Sequence, residues 1–383
     1  PHGLDEETKN YSTASDMAAA KLILSYPVWK GAISVGTEFT SSRIRGEYAN
    51  AEQYVDASNT KIEERNIAGF AEYGFKFGGF SVNAGVRYEN VKSDYYLFGQ
   101  WQAEPSRRYS DWFPSASMSW NSGKWGLQLA YACKTQRPSY NSLRDEVQYD
   151  NRYTYEGGNP YLRPCIINNV DFNAVYDWLS FNVGYNYIDN PMVWVATLYQ
   201  GKDIVFLRNI NFNHSQDVYA SIVASPRFGW YNPMAEIDYS QSFLHTDGFD
   251  INKPSNRPCF NFRLNNRFNI TRSLKAFLNM RYKTSQLNDL QYTKPFARVD
   301  VKLTKSFLND ALEIGVYAND LFKTDKERWT MYGSHTIMTK DCYGYERCVG
   351  MTVSYNFNTA KSKYKGTGAA PRNSIHNAGL PWE

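Results

Sequence analysis

The sequence has no long apolar run, few cysteines and little net charge. No stretch reaches the ~18 consecutive apolar residues of a membrane-spanning helix, and the nearest, residues 17–29, contains Lys21 and Pro27. The five cysteines show no CxxC spacing, which argues against a metal or redox motif, although Cys342 and Cys348 are close enough to pair in an oxidising compartment. The net charge of +4, without a block of like charge, gives no reason to expect nucleic acid as a partner. The lack of a long apolar run excludes a helical membrane protein.

Catalytic signatures are also missing. The chain has no HExxH, P-loop, GxGxxG or GxSxG motif. Its five histidines are scattered, at His2, His214, His245, His335 and His376. We therefore expect no enzyme, no cofactor and no metal site. No signal peptide opens the sequence, so any secretion signal is expected to have been removed or to lie outside it.

Aromatic residues and alternating segments are abundant instead. Tyr, Phe and Trp number 30, 22 and 10. The apolar ring and polar tip of Tyr suit a boundary between lipid and water. Apolar and polar side chains alternate in residues 80–88, 179–187, 260–270 and 349–357. This period of two predicts strands with one apolar and one polar face.

Fifteen such strands are predicted. They span 13–27, 30–47, 61–77, 79–97, 108–121, 123–136, 165–178, 179–199, 203–227, 231–246, 258–270, 273–286, 291–306, 310–321 and 343–358. Short turns alternate with long connections at 48–60, 98–107, 137–164, 247–257 and 322–342. Aromatic residues collect near the predicted strand ends, at Trp29, Trp112, Trp125, Trp178, Trp194 and Trp230. Long strands, aromatic ends and unequal connections together indicate an all-β protein, a transmembrane antiparallel β-barrel.

One short motif lies in the longest connection. The segment Gly158-Asn159-Pro160-Tyr161-Leu162-Arg163-Pro164 resembles the GNP-x-L-x-P signature of TonB-dependent receptor barrels, which precedes a strand descending from an external loop. The tail that follows Phe357 also looks like the C-terminal end of that outer-membrane β-barrel family. The resemblance covers essentially the whole chain, and it implies a location in the outer membrane of a Gram-negative bacterium.

The resemblance also implies an import receptor. Such receptors have 22-stranded barrels with a lumen plug, so residues 1–358 would be the C-terminal ~15 strands and 359–383 a polar tail. The implied partners are outer-membrane lipid, a plug domain and the TonB system acting through a missing N-terminal region, and a scarce nutrient such as a siderophore, cobalamin, glycan or peptide.

Other interpretations of the barrel size and of the function remain open. Single-chain bacterial barrels have even strand numbers, so a complete smaller barrel would differ by one strand from the predicted count. A scaffold, an assembly barrel or a passive pore without TonB is the alternative function, and a soluble glycan-binding module is a third.

Two sets of residues are candidates for ligand contact. With the apolar faces outward, strands between 258 and 306 turn a basic wall inward, made of Arg263, Arg267, Arg281, Lys283, Arg298 and Lys302, together with Lys275 and one acidic residue, Asp300. Such a wall would attract an anionic ligand, or its cations would meet acidic groups of a plug or of further strands. In the external connections the candidates are Tyr153, Tyr155, Trp329 and Tyr332, because aromatic rings beside polar groups suit sugar or siderophore binding but also occur in ordinary exposed loops.

Overall fold

Strands form nearly all of the regular structure. A computed structural model describes residues 9–50, 55–246, 249, 251, 253–254, 256–344 and 346–357, so the predicted tail at 359–383 lies outside the described residues. In chain order the elements are β1 (Lys9–Val28), β2 (Gly31–Asn50), β3 (Ser58–Phe77), β4 (Phe80–Leu97), β5 (Gln100–Ser122), β6 (Trp125–Gln136), a 3₁₀ turn (Asn141–Leu143), β7 (Val147–Asn151), β8 (Thr154–Gly157), β9 (Cys165–Tyr176), β10 (Leu179–Asp189), β11 (Met192–Leu198), β12 (Val205–Asn211), β13 (His214–Ala224), β14 (Tyr231–Leu244), β15 (Cys259–Asn269), β16 (Leu274–Lys283), β17 (Gln286–Asn288), β18 (Gln291–Thr293), β19 (Phe296–Phe307), β20 (Leu312–Asn319), β21 (Glu327–Tyr332), β22 (Ile337–Cys342) and β23 (Cys348–Tyr355). Among these residues no helix has the length and apolarity required of a membrane span.

Fifteen strands form one antiparallel sheet. Its order is β1-β2-β3-β4-β5-β6-β9-β10-β13-β14-β15-β16-β19-β20-β23. The prediction of a fifteen-stranded antiparallel sheet is therefore confirmed. The first and last strands, β1 and β23, each pair with a single neighbour among the described residues.

The alternating pattern gives this sheet two different faces. In β15, Phe260 and Phe262 remain 38% and 40% exposed, and the ring of Phe262 stacks on Tyr282 of β16 at a centroid distance of 6.2 Å. Arg263 and Arg281, which are partners in the β15–β16 register, lie on the opposite face. An exposed apolar band on one face and polar side chains on the other is the arrangement of a barrel wall between lipid and a polar interior.

Aromatic side chains mark two levels of this band. Trp29 and Trp230 are exposed beside the short turns. Higher on the wall, Tyr88 and Trp112 pair at 4.8 Å. Trp112 stands ten residues from the end of β5 at Ser122, which for a tilted strand is a rise of about 25 Å. The two levels are therefore separated by the height of a lipid-facing band.

The predicted long connection at 98–107 is wrong. β4 and β5 continue through it as one hairpin, closed by Phe98 and Gly99 with φ of 48° and 77°, as a two-residue turn requires. The hydroxyl of Ser106 accepts a hydrogen bond from the Tyr95 amide (3.0 Å) where the register shifts. Beyond the lipid both faces of the hairpin meet polar surroundings, so apolar and polar residues no longer alternate there. This weak alternation, together with Pro105, led to the prediction of a loop.

The predicted strands 179–199 and 203–227 are too long. β10 ends at Asp189, because Asn190 has a positive φ of 52° and Pro191 has no N–H for the ladder. The chain then leaves the wall, forms the β11–β12 hairpin, and returns as β13 at His214. The two predicted strands therefore correspond to four strands, of which β10 and β13 belong to the wall and β11 and β12 to a separate sheet.

The long connections build two small sheets at one end of the wall. Their orders are β11-β12-β8-β7 and β17-β18-β21-β22. At the other end the wall strands are joined by turns as short as Trp29-Lys30. Most of the fully buried apolar side chains belong to the end of the wall that carries these sheets. Three clusters connect the sheets and loops to the wall, and a fourth, around Met331, joins the two small sheets to each other.

Candidate ligand-binding site

The motif at 158–164 anchors the longest connection. The backbone amide of Asn159 donates to the carbonyl of Ser142 (2.7 Å), and its side-chain amide donates to the carbonyl of Asn209 in β12 (2.9 Å). Arg107 of β5 donates to the carbonyl of Pro160. The motif therefore holds the connection between the wall and the external sheet.

Two further positions of the motif are fixed by packing. A Cβ at Gly158 would lie 2.2 Å from the carbonyl oxygen of Arg144, so only glycine permits this close approach of two backbones. Leu162 is fully buried against Ile62, Tyr95 and Leu143. The signature that carries the family resemblance is thus a structural clamp for the connection.

One face of the β11-β12-β8-β7 sheet is buried against the wall. Tyr149, Tyr155 and Phe206 pack there with Tyr48 and Val55. Tyr155, a predicted ligand residue, is 7% exposed, and its ring lies 5.5 Å from that of Tyr149. It stabilises the sheet on the wall and offers almost no surface to a ligand.

The other three predicted aromatic residues lie in separate places. Tyr153 is exposed in the β7–β8 turn, with the guanidinium of Arg152 4.8 Å from its ring. Trp329 packs at the edge of a cluster around Met331, and its Nε1 donates to Glu327 (3.0 Å). Tyr332 ends β21, where its amide donates to the carbonyl of Leu290 (2.9 Å). The structure does not bring the four residues into one packing cluster.

A polar cavity opens on the other face of the β11-β12-β8-β7 sheet. It has a volume of about 370 Å³ and lies between this face and Tyr11 of β1. Trp194 and Asn209 are opposite each other in the β11–β12 hairpin, and Gln148 and Glu156 are opposite each other in β7–β8. The β8–β12 register places both pairs on the same face of the sheet. We call this space the Trp194 cavity.

A buried ion pair forms part of the lining of the Trp194 cavity. Arg144 and Glu146 are 5% and 4% exposed, and their Nη1 and Oε2 atoms are 3.5 Å apart. Nη2 of Arg144 donates to the hydroxyl of Thr13 (2.9 Å), and its guanidinium lies 4.7 Å from the ring of Tyr11. Burial lowers the pKa of the Arg144 guanidinium, and the carboxylate of Glu146 opposes that shift. The pair joins the connection to the interior face of β1.

The alternating pattern could not reveal this cavity. Because 179–199 looked like one membrane strand, Trp194 was predicted at its lipid boundary, whereas the structure places it in the external β11 strand. The Asn190-Pro191 step was the available signal that the strand ends earlier. The pairing of β12 with β8, which is parallel and joins distant segments, left no local trace in the sequence.

The basic wall contains acidic partners from its own chain. Arg263 donates to Glu236 and, at 2.8 Å, to Asp238. Arg298 contacts both carboxylate oxygens of Asp300 at 3.0 Å, and it also reaches two external carboxylates, Asp325 at 2.9 Å and Glu346 at 3.3 Å. Neither a plug nor further strands are needed to compensate these two arginines.

The remaining members of the wall lack such partners. Arg281 donates to the side-chain oxygen of Asn261 (3.2 Å) and lies 5.1 Å from the ring of Phe296, and Arg267 donates to Asn269 (3.1 Å). Within the described part of the chain, neither arginine forms an ion pair with a carboxylate, and the same holds for Lys283 and Lys302. The wall is therefore a mixture of neutralised and free cations.

The described histidines and cysteines lie apart from the Trp194 cavity. The rings of His214 and His245 stack at 4.5 Å beside Tyr187. No three His, Cys, Asp or Glu side chains among the described residues are placed to hold a metal ion. Cys342 and Cys348, for which the sequence allowed pairing, are both free thiols.

An apolar outer face, two aromatic levels and a layer of external sheets define a transmembrane barrel wall of the outer-membrane class. The chain belongs to the outer membrane protein beta-barrel family, whose model matches residues 3–355. This membership places it in the outer membrane of a Gram-negative bacterium.

Solved structures of similar fold agree with this assignment. The copper transporter OprC is 12% identical with a TM-score of 0.65 over 91% of this chain and 58% of that chain. The ferric-catecholate import receptor Fiu from E. coli K12 is 12% identical with a TM-score of 0.61, covering 91% and 55%. The siderophore receptor PiuA from Acinetobacter baumannii is 9% identical with a TM-score of 0.63, covering 90% and 56%. The chain spans a little over half the length of these proteins, and at such identities the likeness is one of fold. No curated protein sequence matches the chain.

Proposed function

We propose that the chain is the barrel of an outer-membrane receptor that takes up a scarce nutrient. The ligand binds at the external connections, and the TonB system, acting on a plug domain, drives its import. The observation that carries this proposal is the difference between the two ends of the wall. Short turns close one end, whereas at the other the connections form two four-stranded sheets, of which the β11-β12-β8-β7 sheet packs directly on the wall and the other packs against that sheet.

A layer of external sheets that packs on the wall favours a receptor over a passive pore or a scaffold. A pore needs an unobstructed entrance, and an anchoring scaffold needs no polar cavity behind its loops. Here Arg144, paired with Glu146, joins the layer to Thr13 of the wall, and Asn159 joins the 137–164 connection to β12. Rigid support of a binding surface is what specific recognition requires.

We further propose that these fifteen strands are the C-terminal part of a 22-stranded barrel. β1 and β23 each offer one edge without a partner among the described residues. Unpaired backbone groups in hydrocarbon cost several kcal/mol each. Additional strands that pair with both edges would remove this cost. The partial coverage of the similar receptors supports the same conclusion.

Uptake measurements in cells test the proposed import. Strains that carry or lack the full-length protein, each with and without a functional TonB system, are grown with a siderophore, cobalamin, an oligosaccharide mixture or a peptide mixture as the limiting nutrient. Uptake of one nutrient that requires both components is the expected result. Uptake that needs the protein but not TonB would indicate a passive pore, and a defect in membrane assembly without an uptake defect would indicate a scaffold. Entry of a small solute through unrelated porins serves as the control.

A further inference from the structure

We propose that the Trp194 cavity binds a sugar residue of a neutral oligosaccharide. This inference rests on the proposed function, because it names the class of nutrient that the receptor takes up. Three properties of the cavity carry it: an exposed aromatic ring, side chains that both donate and accept hydrogen bonds, and the absence of net positive charge.

The aromatic ring is that of Trp194. It is 45% exposed at the cavity, although Val193 and Val195 beside it are buried on the other face of the sheet. The hairpin therefore gains its packing energy without this side chain. A flat, partly exposed indole suits stacking on the apolar C–H face of a pyranose ring, which replaces water on both surfaces.

The polar groups around Trp194 match hydroxyl groups. Asn209 lies directly opposite it, and Gln148 and Glu156 share the same face. Gln148 is oriented by donating to the buried carboxylate of Glu146 (2.5 Å), and this hydrogen bond does not use its amide oxygen. Amides donate and accept, and a carboxylate accepts, so together they can satisfy sugar hydroxyls, each of which is both donor and acceptor.

The formal charge of the cavity favours a neutral sugar over an anionic chelate as its ligand. Arg144 and Glu146 neutralise each other inside the lining, and Glu156 adds one exposed carboxylate, so the cavity carries a formal charge of −1. An anionic ligand would meet Glu156 without a free cation nearby. The free cations of the wall lie on β15, β16 and β19, in a different part of the sheet.

Size is consistent with a short saccharide. The volume of about 370 Å³ lies at the lower end of the ~300–1,000 Å³ typical of small-molecule sites. The cavity is not enclosed on all sides, so further sugar units of a longer chain can extend from it.

The test measures binding by the full-length protein in detergent. The probes are neutral oligosaccharides of glucose, mannose, xylose, galactose and N-acetylglucosamine, with a ferric catecholate chelate as the anionic competitor. We expect one oligosaccharide class to bind, and Trp194→Ala to weaken that binding about tenfold or more. Trp194→Phe should restore most of the affinity, because it keeps a ring for stacking. Trp101→Ala, near the tip of the β4–β5 hairpin where the ring is 55% exposed, is the control and should bind normally.

The outcomes separate this inference from the proposed function. Failure of every oligosaccharide to bind, or binding that Trp194→Ala leaves unchanged, overturns the sugar site. If the ferric chelate binds instead and is taken up with TonB, the receptor function stands while the sugar site falls. Oligosaccharide binding that depends on Trp194, without any TonB-dependent uptake, supports the site and overturns the import.

Discussion

The Nη1 atom of Arg298, in the barrel wall, lies 2.9 Å from Oδ2 of Asp325, in the connection that follows β20. The same guanidinium contacts Asp300 within its own strand and Glu346 just before β23. One wall side chain thus fixes both ends of the 320–347 connection. At Arg298 the basic wall therefore has a structural role.

Replacing Arg298 should loosen this connection. Arg298→Gln removes the contacts to Asp300, Asp325 and Glu346 and leaves their carboxylates facing one another. Because the side chains are partly exposed, we expect a loss of about 1–2 kcal/mol rather than the larger cost of a fully buried pair. Limited proteolysis of whole cells should cut the 320–347 connection faster. Arg272→Gln, in a turn at the other end of the wall, is the control, and equal cleavage of both variants would contradict the prediction.

Gly158 should tolerate no side chain. In Gly158→Ala the Cβ would meet the backbone of Arg144 at 2.2 Å, and neither backbone can retreat without breaking the Asn159 hydrogen bonds. We expect a loss of about 2 kcal/mol or more. The measurement is the temperature at which the folded barrel loses its compact mobility on a detergent gel. Gly69→Ala, where a Cβ meets nothing within 4 Å, should behave like the unmodified protein.

The ionised carboxylate of Asp320 should stabilise the folded protein at neutral pH, and this stabilisation should be lost in acid. Its buried carboxylate accepts from the amides of Thr324 (2.9 Å) and Asp325 (3.2 Å) and from the hydroxyl of Tyr343 (2.9 Å). Burial alone would raise its pKa, but these donors outweigh burial and lower the pKa below the ordinary value. A lowered folded pKa gives stability that is present above the unfolded pKa of ~3.9 and is lost as the pH falls through the folded value.

We therefore expect Asp320→Asn to cost about 1.5–3 kcal/mol at pH 7 and progressively less toward pH 3. Stability measured across this range by urea unfolding in detergent checks the slope. A cost that does not change with pH would mean that the charge of Asp320 contributes nothing.

Asp289 should show the opposite slope. It lies in the β17–β18 turn, where burial and the nearby carboxylate of Asp217 raise its pKa, and the hydroxyl of Ser242 at 3.4 Å only partly compensates. A raised folded pKa gives stability that is complete below ~3.9 and is lost as the pH rises. Asp289→Asn, which mimics the protonated acid, should therefore stabilise the protein by about 1 kcal/mol at pH 7 and have no effect at pH 3. Parallel slopes for Asp289→Asn and Asp320→Asn would contradict at least one of the two assignments.

The barrel wall was predictable because lipid imposes a strict pattern on it. Where both sides of a strand have fixed surroundings, as around Phe260, Phe262 and Arg263, the period of two is clear in the sequence. The pattern fails where those surroundings end. The β4–β5 hairpin rises beyond Trp112 into water, so residues 100–107 alternate weakly although they form a strand.

The site was less predictable because it depends on contacts between distant segments. Tyr155 and Trp194 are both aromatic residues of external strands, yet Tyr155 is buried and Trp194 is open to the cavity. The β8–β12 pairing determines which face of the sheet each residue occupies. The face that carries Tyr155 is covered by Tyr48 of the wall and by Val55 in the β2–β3 connection. Neither fact can be read from local composition.

Arg281 should matter little for uptake if the basic wall is mainly structural. Its guanidinium contacts only Asn261 and the ring of Phe296 among the described residues, so Arg281→Gln should cost no more than about 0.5–1 kcal/mol of stability. Arg263→Gln, which leaves Glu236 and Asp238 facing each other, should cost more and serves as the contrast. Uptake of a ferric catecholate chelate and of the bound oligosaccharide is then measured at low and high salt. We expect oligosaccharide uptake to stay within about twofold of the unmodified protein, and we expect no chelate uptake through either protein. Chelate uptake by the unmodified protein that Arg281→Gln reduces, most strongly at low salt, would instead assign the free cations of the wall a role in attracting anions, because added salt screens such attraction.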